Sequence, residues 1–143
     1  MIKYDDMIIT TLVIDLFLVY IYYTNKLNKF DENNILFLFF LHFIFIISLL
    51  NKYDLILDIS HIIFIVQVYI ISLFTSNINM ILLYVFIIMV MLCYWYIDNK
   101  CPLGRYERIT WLNKLLIAYN GIFTSIPYII LIILIYKIYK KSS

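Results

Sequence analysis

Five polar residues stand inside otherwise apolar stretches of this sequence: Asp15, His42, Asp58, His61 and Gln67. A carboxylate beside an imidazole can hold and pass a proton, because histidine changes charge near neutral pH and an aspartate steadies the imidazolium. Asp15 and His42 each fall at the middle of an apolar run. A fold that brings them together makes a proton relay or an ion pathway. Asp58 and His61 are three residues apart and share one face of a helix. The blander reading is a neutral histidine hydrogen-bonded to a neighbouring helix, with no further role. Two histidines and an aspartate could ligate zinc, but no two histidines stand three or four residues apart. No metal site is therefore expected. Nucleophile–base pairs and phosphate loops are missing too, so no cofactor is expected and the chain leans away from being an enzyme.

The last apolar run carries Asn120 and, further on, Thr124-Ser125-Ile126-Pro127. Pro127 has no N–H for the carbonyl of Phe123, which predicts a kink there. Asn120 is placed to hydrogen-bond across helices for about 1 kcal/mol.

Between the fourth and fifth runs lies the least repetitive stretch, Asp98 to Lys114. Lys100, Arg105, Arg108 and Lys114 bracket Trp111. Cations are drawn to anionic headgroups and the indole fixes depth, so 105–114 is expected as a short interfacial helix touching lipid or a partner. A membrane enzyme would have to assemble Glu107 with Arg105, Arg108, Asp58 and His61 at this end. Within the loop, Cys101-Pro102-Leu103 followed by Glu107 resembles the Cys-Pro-Leu-Thr-x-x-Glu signature of small multi-span proteins of the DUF2784 family. Gly104 stands where that family has threonine. The resemblance covers seven residues and implies a compact helical membrane protein of no assigned activity.

The elements that must position these residues follow from composition. The chain has 143 residues, 65% hydrophobic and 14% charged, with mean hydropathy +0.96. Soluble domains carry about a quarter charged residues. A soluble monomer, a disordered chain, a nucleic-acid binder and a disulfide-stapled module are all excluded. Cys93 and Cys101 read as free thiols. Apolar runs occupy 7–23, 35–50, 55–74, 80–97 and 115–136. About 20 helical residues cross a bilayer core, so the prediction is an all-α polytopic membrane bundle of five transmembrane helices in one domain. The first run is the weakest. Asp15 costs about 3 kcal/mol at its centre, against about −4 kcal/mol from ten Ile, Leu, Val and Phe residues. Four helices is the count if that run does not insert, and a cleaved leader is disfavoured by Asp5-Asp6 ahead of it.

Tyrosine and tryptophan cluster near the run ends, at Tyr20, Tyr22, Tyr23, Tyr94, Trp95 and Trp111, as membrane interfaces favour. Polar joints fall at 25–34, 51–54 and 75–79. With five spans, one side carries Lys3, Lys52, Lys100, Arg105, Arg108 and Lys114, and the other Lys26, Lys29, Lys137, Lys140 and Lys141. Six cations against five sets no orientation. Thirty-one isoleucines face one alanine and two glycines, a bias expected of an AT-rich genome in an organelle, protist or large DNA virus. Helices without small residues pack at wider separation, so the leading expectation is a structural or accessory subunit among other membrane subunits. The alternative is a proton or ion pathway. The host membrane reads as mitochondrial inner membrane, endoplasmic reticulum or viral membrane. Lys140-Lys141 near the C-terminus resembles a dilysine retrieval address.

Overall fold

The computed structural model describes residues 4–98 and 125–142. Helix α1 runs Tyr4–Thr24, α2 Lys29–Asn51, α3 Asp54–Phe74, α4 Ile78–Asp98 and α5 Ile126–Ser142. No strand occurs among the described residues. The fold is all-α, with five helices among these residues. Four of them, α1 to α4, are long and apolar enough to cross a membrane. Helix α5 covers 17 residues, and the 115–124 part of the expected fifth run lies outside the described residues. The interfacial segment 105–114 also lies outside them.

These helices are apolar on nearly every face. Such a helix is buried in protein or in a membrane. Ile9, Leu16, Phe40, Phe43 and Phe74 are exposed among them, a surface suited to lipid and not to water. The inner faces meet in a core of Leu18, Ile35, Leu38, Val68, Ile81, Tyr84, Ile88 and Leu134, each almost wholly buried. Helix α2 packs between α1 and α3, while α4 touches α1, α5 and the last turns of α3. Connections of two to four residues make α1 to α4 run alternately up and down. Met7, Leu49 and Leu57 form a smaller cluster at the end where the chain enters.

Two differences from the expected boundaries have local causes. Asn25 to Asn34 reads as a linker, yet α2 begins at Lys29. Asn28 adopts an extended backbone and its side chain accepts the Asp31 N–H at 2.8 Å, satisfying an orphan donor of the first turn. Asp31 and Glu32 sit in that turn, where carboxylates complement the helix dipole. The second difference is inside α3, which is π-helical over Gln67–Ile71. Wide turns of this kind recur at functional sites, and this one buries three successive residues, Gln67, Val68 and Tyr69. At the other end of α2, Lys52 closes the helix in the left-handed region at φ 56°.

Candidate functional site: a carboxylate–imidazole pair and a cavity within the bundle

Asp15 and His42 meet. Nδ1 of His42 lies 2.6 Å from Oδ1 of Asp15. They come from antiparallel neighbours, and each is two to three turns from the end of its helix nearest the N-terminus of α1. His42 is 4% exposed at its side chain and Asp15 21%. Phe64 packs on the imidazole with ring centres 5.4 Å apart. An ionised Asp15 accepts from Nδ1–H, which fixes the tautomer and turns Nε2 to the opposite side of the ring.

The four long helices also line a cavity of about 110 Å³. His42, Phe45, His61 and Phe64 line it from α2 and α3, Ile14 and Thr11 from α1, and Ile87, Met91 and Tyr94 from α4. Lining residues run from Met7 to Ile14 on α1, about 10 Å along the axis. Among its lining residues the Tyr94 and Thr10 hydroxyls hydrogen-bond, tying α4 to α1. Asp58 is buried on α3, one turn nearer the helix start than His61, and both are engaged by neighbouring groups. So the two histidines face one space, while Asp58 is not among its lining residues.

A second polar cluster occupies the opposite half. Gln67 donates to the Asn34 carbonyl oxygen, and Asn34 donates to the Tyr84 hydroxyl at 2.7 Å. One turn further, the fully buried Asp31 carboxylate accepts from the Thr75 hydroxyl, from Ser76 at 3.3 Å, from the Asn77 N–H at 3.1 Å and from Asn28 at 3.0 Å. Lys137 of α5 donates to the carbonyls of Leu73 and Thr75 at 2.8 Å each, capping α3. Burial pushes the Lys137 ammonium below the ordinary lysine value, the nearby Lys141 adds to this, and the Asp31 carboxylate opposes it. Between the two clusters lie Leu18 and Leu38, both completely buried, each one turn beyond Asp15 and His42 on its own helix. His42 and Asn34 are thereby about 12 Å apart along α2.

Of the residues singled out by sequence, Asp15, His42 and His61 converge on one half of the bundle, and Gln67 belongs to the other. Pro127 is buried in the first turn of α5, where a missing N–H costs nothing; the residue 123 carbonyl concerned in its kink is outside the described residues. Asn120, Lys100, Arg105, Arg108, Trp111 and Lys114 are outside them as well. Sequence reasoning missed Asp31, Asn34, Tyr84 and Lys137. The Asn28-x-x-Asp31 spacing, a helix-start pattern, was the available signal for the first. Among the described residues no group of three or more His, Cys, Asp or Glu could hold a metal ion.

No family model, curated protein or solved structure matches this chain. Its chemistry has to be read from its own geometry.

Proposed function

We propose that the chain is a multi-pass integral membrane protein that moves protons by way of the Asp15–His42 pair. What supports this is the 2.6 Å contact between a carboxylate and an imidazole at mid-helix depth in apolar helices. Ionisable groups there are costly and rarely kept without use. His61 extends the protonatable groups towards one end through the shared cavity. The apolar turn at Leu18 and Leu38 separates the pair from the Asn34–Gln67–Tyr84 cluster. Transfer is accordingly stepwise, through a helix movement, and not through an open water-filled pore. The test is decay of a pH gradient across vesicles containing the purified chain and an internal pH dye. Decay faster than in protein-free vesicles, slowed about tenfold by Asp15→Asn, is expected; about 1.4 kcal/mol on the barrier gives such a change. Equal rates with and without the protein remove the reading.

A second reading, a structural or accessory subunit of a membrane assembly, is supported by the exposed apolar flanks and by the single alanine and two glycines. Gentle detergent extraction and a native gel test it: a solitary 17 kDa species counts against it. The likeness to the DUF2784 family rests on residues 101–107 alone and adds no activity to either reading. Mitochondrial inner membrane, endoplasmic reticulum and viral membrane are the proposed hosts. A membrane that sustains a proton gradient suits the first reading best.

A further inference from the structure

A second cavity, of about 500 Å³, opens at the end of the bundle where α1, α3 and α5 finish. Small-molecule sites span about 300–1,000 Å³. Lys26 lines it from the connection between α1 and α2, and Lys141 from the last turn of α5. Asn28 and Asp31 line it from the start of α2, Ser76 and Asn77 from the joint before α4. The Asp31 charge is answered from within the fold. Thr75, Ser76, Asn28 and the Asn77 N–H all donate to it, so those donors are already spent. The two lysines differ. Both are exposed, and neither has a hydrogen bond or a carboxylate partner among the described residues. What this lining leaves unanswered is positive charge, and the group that suits it is an anion.

The surroundings choose the source of that anion. Among the described residues this end carries Lys26, Lys29, Lys137, Lys140 and Lys141 against Asp31 and Glu32. Its depth is marked by aromatic rings. Tyr20 and Tyr23 of α1 and Tyr136 and Tyr139 of α5 are exposed and close in sequence to these lysines. Tyrosine collects at the headgroup layer of a membrane. Lysines at that level stand among lipid phosphates, each worth about 1 kcal/mol near an anionic surface. Ile78 completes the lining, and Ile70 and Phe74 at the same end of α3 are exposed. They give acyl chains an apolar flank beside the charged cavity.

We infer that this cavity binds the headgroup of an anionic phospholipid, its phosphate held by Lys26 and Lys141. The inference needs the membrane setting common to both readings of function and no proton transfer. The test equilibrates the full chain, immobilised in neutral detergent, with labelled phosphatidylglycerol and counts the lipid retained per chain. Saturable retention is expected, with phosphatidylcholine retained far less. Lys26→Gln with Lys141→Gln weakens it at least about tenfold, whereas Lys26→Arg with Lys141→Arg, which keeps both charges, preserves it. Lys29→Gln with Lys140→Gln is the control. Those lysines are exposed at the same end and do not line the cavity, so their loss is expected to leave retention nearly unchanged. Equal retention of phosphatidylcholine overturns the proposal, and so does an equal loss in the control pair, which means diffuse attraction and no site. Displacement of the lipid by millimolar inorganic phosphate also overturns it, since the site then belongs to a soluble anion. Because retention is read without flux, failure here leaves the proton reading to its own experiment.

Discussion

At the scale of single residues, the pairing of Asp15 with His42 is the fact from which the rest follows. A buried imidazole that loses its carboxylate keeps its desolvation cost and forfeits its partner, so Asp15→Ala is expected to destabilise the chain by about 1–3 kcal/mol. Thermal unfolding in detergent reads this, and adding His42→Phe restores part of the loss because both polar groups are then gone. Lys137 gives a prediction with a sign. Its folded value is below the ordinary 10.5, so the unfolded chain binds that proton more tightly and stability rises as pH climbs towards the ordinary value. Lys137→Met removes this part of the alkaline slope, seen by comparing unfolding of the two proteins as pH is raised towards the ordinary lysine value. Asp15 and His42 were legible as candidates because each interrupts an apolar run. Their meeting was not, since one residue of helix rotation carries a side chain 100° away and no sequence spacing fixes the rotation of α1 against α2.

At the scale of elements, α3 carries the contrast between expected and found. Its span, 55–74 from the sequence and Asp54–Phe74 in the fold, is set by a polar joint at each end. The π-helical stretch Gln67–Ile71 had no such marker. Gln67 was visible as a polar residue, but its partner Asn34 read as linker until the Asn28 cap started α2 six residues sooner. Gln67→Leu leaves the buried Asn34 amide oxygen without its donor and costs about 1–3 kcal/mol, whereas Gln67→Leu with Asn34→Leu is close to neutral. The apolar turn gives the opposite kind of prediction. Leu38→Asn places a hydrogen-bonding group between the two polar clusters and is expected to speed gradient decay severalfold. An unchanged rate would mean that Leu38 is no part of the barrier.

At the scale of the whole molecule, the all-α membrane bundle follows from composition and run lengths, because so few charged residues leave no surface for water. The arrangement of its ends needed the fold. Lys137 reaches the carbonyls at the end of α3, which places the end of α5 beside the 75–77 joint and opposite the start of α1. Tags at the two termini are therefore expected on opposite sides of the membrane, as read by protease access in sealed vesicles. Both tags on one side would contradict this packing.

In the proposed function Asp15 and His42 act together on protons, and a mutant cycle in gradient decay tests this most directly. Wild type, Asp15→Asn, His42→Gln and the double variant are reconstituted at equal density, and decay of an imposed pH difference is timed in each. Groups that work as a unit are non-additive, so each single variant is expected to be about tenfold slower than wild type and the double variant no slower than the slower single. Decay in wild type at the rate of protein-free vesicles, or losses that multiply in the double variant, would contradict the account.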